Sequence, residues 1–285
     1  MDDDKTPLAP ITLRSGIDMP ALGFGTWHLG ESRGAWQSEA AALLHAVDVG
    51  FTQFDTAEMY GDGAAEELLG EVLQQRQRDK LFLTSKVYPW KADGERMVAA
   101  CEDYLQRLQH DYLDLYLVHW PGGVPFEKTL AGDETLLAAG KIRAFGVSNF
   151  DTSELRSLNA AGLIDRIDVN QVMYNPARRG IEFDLLPDLQ AHGIACVAYT
   201  PLEPHRLSRS SAFTAIASEA GLSPPQLALA WQMTRGTAVP IPKASRNEHV
   251  DALLAASRIR LTADQLDAID VAFPPPRSAQ PLDII

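Results

Sequence analysis

Residues 21–30, "ALGFGTWHLG", decide between two architectures. A short apolar run ending in Gly-x-Gly can open a doubly wound sheet built to hold a dinucleotide. That fingerprint needs a third glycine three residues on, where a capped helix begins. Here His28 stands at that place, and the next helical pattern starts only near Ser38. The stretch therefore reads as one strand of a different α/β arrangement, and the rest of the chain says which.

Seven more short apolar runs follow: "FTQFDT" (51–56), "LFLTSK" (81–86), "LDLYLVH" (113–119), "IRAFGVS" (142–148), "IDVNQ" (167–171), "IACVAYT" (194–200) and "AVPIPK" (238–243). Most are almost continuously hydrophobic, as expected of parallel strands covered by helices. Helical patterns separate them, at 38–50 with Ser38 as candidate cap, 63–76, 94–109, 127–140, 152–162, 182–193, 223–235 and 246–257. Gly140, Gly162 and Gly193 close three of these where a left-handed C′ residue belongs. Eight strand–helix alternations predict a (β/α)8 TIM barrel, a single domain over 11–285.

A chain of 285 residues with 46% hydrophobic content can bury one such core. The net charge of −13 argues against an electrostatic grip on nucleic acid or on an anionic membrane. Cys101 and Cys196 form no CxxC pair, so neither a disulfide framework nor a cysteine zinc site is expected, which fits a reducing cytoplasm. No run approaches a membrane span, and residues 1–10 carry no signal-peptide core. "DDDK" (2–5) resembles the end of an engineered protease site, so 1–10 are set aside from the fold.

Catalytic groups of a TIM barrel gather where its strands end. Those ends supply Asp55 with Tyr60 beyond it, Lys86, His119, Ser148 and Asn149, Asn170 and Gln171, Tyr199 and Thr200, and Lys243 with Ser245 and Arg246. Singly, each has an ordinary reading: a packing tyrosine, a turn-capping aspartate, a solvated lysine, a helix cap at Ser148–Asn149. Their convergence on one face reads as a site. A metal-dependent barrel lacks a convincing Asp/Glu/His cluster, so no metal is expected.

The motifs "FDTAEMYG" (54–61), "TSKVYP" (84–89), "DLYLVHWP" (114–121), "GVSNF" (146–150), "NQVMYN" (170–175) and "IPKAS" (241–245) resemble, in order and spacing, those of the aldo-keto reductases. Within that family the chain resembles the short bacterial members that reduce small aldehydes such as methylglyoxal. The resemblance implies a catalytic tetrad of Asp55, Tyr60, Lys86 and His119, with Tyr60 as general acid. A phenol titrates near ~10, and an ammonium ~4 Å away at an effective dielectric of ~20 is worth about 4 kcal/mol. Lys86 is thus expected to draw Tyr60 toward neutrality, while Asp55 holds Lys86 and His119 orients the carbonyl.

The resemblance also implies NADPH as cofactor, with NADH less favoured. Ser148, Asn149 and Gln171 would bind its carboxamide, Tyr199 would stack on the nicotinamide ring, Thr200 and Leu202 would line the pyrophosphate passage, and Thr26 and Trp27 would also contact the cofactor. Lys243, Ser245 and Arg246 would take the 2′-phosphate at a helix start. His249 and Leu253 stand where the family commonly has arginine and asparagine, and "PLEPHRL" (201–207) lacks a glycine common in that loop. Trp27, Trp90 and Trp120, with His119, would wall the substrate site. The tail "PPPRSAQPLDII" (274–285) is expected to offer little for a lid, which favours small carbonyl substrates. The assembly expected is a monomer or weak homo-oligomer. The competing reading is a non-catalytic nucleotide-sensing subunit of the same fold, which would bind NADPH without turnover.

Overall fold

The structure is a computed structural model that describes residues 8–74 and 76–285. Eight parallel strands form its centre: β1 (Gly23–Gly25), β2 (Gln53–Asp55), β3 (Phe82–Val87), β4 (Leu113–Val118), β5 (Ile142–Ser148), β6 (Val169–Met173), β7 (Ala195–Tyr199) and β8 (Val239–Pro240). They pair in chain order from β1 to β8. The two ends of the sheet meet where Gly25 N donates to Pro242 O at 2.9 Å. A side chain at Gly23 would start 2.7 Å from Ile241 Cγ2, so this seam closes because glycine leaves the space. The Gly-x-Gly of 23–25 thus serves barrel closure.

Strand periodicity divides the core into two. Leu115 and Leu117 of β4 point inward with Phe82, Ala144, Val169, Val197 and Val239, forming the barrel's interior. Tyr116 and Val118 point outward into the larger layer beneath the helices. A short antiparallel ribbon, Ile11–Thr12 with Asp18–Met19, precedes β1, and Leu13 and Met19 join the interior cluster. The sequence pattern did not mark this ribbon.

The helices are α1 (Trp36–Val49), α2 (Ala64–Leu73), α3 (Gly94–Leu108), α4 (Phe126–Ala138), α5 (Thr152–Ala160), α6 (Leu185–Ala191), α7 (Pro204–Leu207), α8 (Ser211–Glu219), α9 (Pro224–Arg235), α10 (Asn247–Ser257) and α11 (Ala263–Ala272). The expected glycine stops hold, with Gly140, Gly162 and Gly193 at φ 66°, 72° and 65°. Ser38 is not a cap: α1 begins two residues earlier, and Ser38 Oγ donates to the carbonyl of Ala35. The cap before α5 is Asp151, in a reciprocal box with Glu154, which leaves Ser148 and Asn149 free of that role. The sequence pattern also left α7, α8 and α11 unmarked. Among the described residues, no helix is long and apolar enough to cross a membrane.

Candidate active site

Strand register brings the polar ends together. In β3, Phe82, Thr84 and Lys86 alternate onto the inner face, while Ser85 points out to Glu66 of α2 (2.7 Å). Lys86 is completely buried, and its ammonium has three neighbours. Nζ donates to Asp55 Oδ1 (2.5 Å), to the carbonyl of Thr56 (2.9 Å) and to the Tyr60 hydroxyl (3.0 Å). The second oxygen of Asp55 accepts from Gln171 Nε2 at 2.7 Å, so both carboxylate oxygens are held. Since a carboxylate only accepts, the orientation of the Gln171 amide is fixed: Nε2 faces Asp55.

Burial raises the Tyr60 hydroxyl above its ordinary 10. Lys86 lowers it and Asp55 raises it, and the sum is upward. This corrects the expectation of a phenol drawn toward neutrality. The ammonium sits against Asp55, which offsets part of its lowering effect, and burial outweighs the remainder. Burial alone would lower Lys86, but Asp55 and Tyr60 outweigh it and the ammonium stays protonated. The site at rest therefore holds a protonated phenol beside a charged lysine.

His119 follows β4, its ring edge-on to Tyr60 with centroids 5.9 Å apart. Burial and the charge of Lys86 press its pKa down to about 3, so the imidazole is neutral at physiological pH. Its Nδ1 is buried without a partner, while its carbonyl accepts from Asn149 Nδ2 (3.1 Å). Asn149 also accepts from the Tyr199 hydroxyl (2.8 Å), and Ser148 Oγ donates to the Gln171 carbonyl (2.8 Å). These strand ends thus form one hydrogen-bonded lattice.

A cavity of about 1160 Å³ opens onto this lattice. It is lined by Thr26, Trp27, Asp55, Tyr60, His119, Trp120, Ser148, Asn149, Gln171, Tyr199, Thr200, Leu202 and Lys243, all anticipated from sequence. Its size exceeds that of a single small metabolite site. Among the described residues, the non-glycine positions with positive φ are His28, Asp62, Gln109, Asn149, Thr200 and Glu203. Four of them (His28, Asn149, Thr200 and Glu203) line this cavity, so backbone strain concentrates where the polar groups do.

Other anticipated residues lie outside the lining. Trp90 is 54% exposed, stacks on Tyr88 (4.4 Å) and meets Trp120 edge-on (5.8 Å), so it buttresses Trp120. Ser245, Arg246 and His249 sit at the start of α10, where Arg246 Nη2 lies 2.7 Å from His249 Nε2. Leu253 packs in the core. The tail contradicts the expectation made for it. Pro281, Leu282, Ile284 and Ile285 return to the cavity and line it, held by Asp283, which accepts from Arg178 Nη1 at 2.8 Å. The apolar ending "PLDII" of an otherwise polar tail was the available signal. Among the described residues, no group of His, Cys, Asp and Glu is arranged to hold a metal ion.

The Aldo/keto reductase family pattern matches residues 21–272. The chain is 40% identical over 280 residues to the methylglyoxal reductase YeaE of Escherichia coli (strain K12), covering 96% of this chain and 98% of that one. It is 34% identical over 262 residues to a glyoxal reductase of Bacillus subtilis (strain 168), covering 91% of each. Among solved structures, an aldo-keto reductase from Klebsiella pneumoniae in complex with NADPH superposes with a TM-score of 0.92. It is 40% identical, covering 98% of this chain and 100% of that one.

Proposed function

The chain belongs to the aldo/keto reductase family, and on that premise we propose that it is an NADPH-dependent reductase of small aldehydes and ketones, methylglyoxal among them. The observation that carries this reading is the Lys86 ammonium held between the Asp55 carboxylate and the Tyr60 hydroxyl at the wall of a large cavity.

The residues fit a nicotinamide. Gln171 Nε2 is committed to Asp55, which leaves Oε1 as the acceptor available to a carboxamide N–H in the cavity it lines. Ser148 and Asn149 stand beside it, and Tyr199 presents a flat partner for the ring. Lys243, Ser245 and Arg246 are the residues for the 2′-phosphate, at a helix start that favours an anion. Held there, NADPH would be the source of the hydride for the carbonyl carbon. Tyr60 supplies the proton to the carbonyl oxygen, so that C=O becomes CH–OH with one hydride and one proton added. Lys86 stabilises the phenolate that proton transfer leaves, and Asp55 with Gln171 keeps Lys86 in place. His119, neutral, donates from Nε2 to the same oxygen and orients it without competing as an acid. Trp27 and Trp120 supply apolar walls around the carbonyl substituents.

The test is direct. Purified protein with NADPH and methylglyoxal should consume NADPH, followed by loss of nicotinamide absorbance, and release the hydroxy product. Tight NADPH binding without turnover over a panel of aldehydes would favour a nucleotide sensor and overturn the reductase reading.

A further inference from the structure

Glu203 lies within "PLEPHRL" (201–207), the loop that lacks a glycine common in the family. Its φ is 26°, in a region that side chains rarely adopt. Such a conformation persists only where the surroundings over-determine it. Here they do. Arg178 Nε lies 3.2 Å from both carboxylate oxygens of Glu203, and Arg178 Nη2 donates to Oε1 at 3.1 Å. Asn175 Nδ2 donates to Oε2 and to the carbonyl of Thr200, each at 3.0 Å. The same guanidinium uses Nη1 for Asp283 of the tail, 2.8 Å away.

One side chain therefore joins two walls of the cavity. The loop 200–205 lines one side, and the tail lines another through Pro281, Leu282, Ile284 and Ile285. Beneath the loop, Gln232 Nε2 donates to the carbonyl of Pro201 (3.3 Å), and Leu207 is buried, so both ends of the loop are anchored. Its middle depends on Glu203.

We propose that Arg178 is a positioning residue that couples the two halves of the site: it holds the dinucleotide-side loop through Glu203 and the carbonyl-side tail through Asp283. The proposal rests on the dinucleotide–carbonyl reading given above. It makes the wall over the carbonyl dependent on the loop that a dinucleotide would engage.

Both ion pairs are partly solvent-exposed, with side-chain exposures of 30% for Arg178, 15% for Glu203 and 35% for Asp283. Moderate effects follow, about three- to tenfold, and they should be salt-sensitive. Asp283→Asn should raise the KM for methylglyoxal about three- to tenfold and leave kcat and the NADPH release rate within about twofold. Arg178→Met should raise that KM and also speed NADPH release, read by stopped-flow fluorescence, and Arg178→Lys should recover part of both. Methylglyoxal is uncharged, so a rise of its KM with salt in the wild type, lost in Asp283→Asn, reports the clasp and not the substrate.

An unchanged KM in Asp283→Asn, or unchanged NADPH release in folded Arg178→Met, overturns the proposal. A wild type that binds NADPH but reduces no carbonyl would sink the reductase reading instead. The release measurement would still decide the Arg178–Glu203 half.

Discussion

Replacing Lys86 with methionine removes the ammonium and keeps an apolar stem of similar length. The interaction most affected is with Tyr60, whose hydroxyl is 3.0 Å from Nζ. Once the proton has left, a phenolate at that distance is stabilised by about 5.5 kcal/mol at an effective dielectric of ~20. A charge-assisted hydrogen bond gives a lower bound of about 1.5–3 kcal/mol. The upper part of this range converts to a loss of roughly 10²–10⁴ in kcat/KM for methylglyoxal. Stability should fall as well. Asp55 is almost inaccessible to solvent, and breaking a buried pair by removing one partner costs about 3–5 kcal/mol. For a domain of this size that lowers Tm by roughly 6–15 °C. Gln171 continues to hold the second oxygen of Asp55, which limits the damage.

The two consequences can be separated. Asp55→Asn combined with Lys86→Met removes both charges and should return most of the lost Tm while leaving turnover low. Steady-state kinetics, thermal unfolding followed by circular dichroism, and an NADPH fluorescence titration together read all three quantities. The reasoning is refuted if folded Lys86→Met turns over at the wild-type rate. It is equally refuted if the double variant regains activity along with stability, since Lys86 would then have acted only as structural support.

Tyr60→Phe should bind NADPH within about twofold of wild type and reduce methylglyoxal about 10²-fold or more slowly, the usual worth of a general acid; unchanged turnover would remove Tyr60 from that role. The pH profile of reduction should show no step near 6.5, because His119 is neutral down to about 3; a step that disappears in His119→Asn would contradict this. Reduction needs Tyr60 protonated, so any alkaline limb must be a fall in rate with rising pH, and it must be absent from the residual activity of Tyr60→Phe. Arg246→Ala should weaken NADPH binding about 10-fold or more and NADH little, since only NADPH has a 2′-phosphate; equal weakening of both would exclude Arg246 as the phosphate contact. Arg246 and His249 are mutual partners, so the double alanine variant should be less than additive.

The barrel was legible because eight apolar runs and their glycine stops repeat one local rule, and each run lands within a few residues of its strand. The strand-end residues were legible for the same reason: a group at the end of a parallel strand has one face to go to. What the sequence hid were relations between distant segments. Gln171 lies 116 positions from Asp55, and nothing local to either announces their bond. Arg178, Glu203 and Asp283 read singly as solvated charges, and only the fold makes them one clasp. Ser38 misled because a serine before an apolar run satisfies the capping pattern, although here its hydroxyl bonds backward to Ala35.

The protonation of Tyr60 shows why composition of a site does not fix its chemistry. Asp, Tyr, Lys and His in the right order suggest a phenol made acidic by a lysine, and that inference treats the ammonium as a bare charge. The geometry puts Asp55 on it at 2.5 Å, so part of the ammonium's effect on Tyr60 is offset, and burial governs the hydroxyl. A phenol kept fully protonated is nevertheless what carbonyl reduction requires, because the acceptor is an oxygen becoming an alkoxide, a much stronger base than phenolate. Lys86 then contributes when the proton leaves, as the phenolate forms 3.0 Å from its ammonium. Its stabilisation is larger in the transition state than at rest, and that difference is what accelerates a reaction.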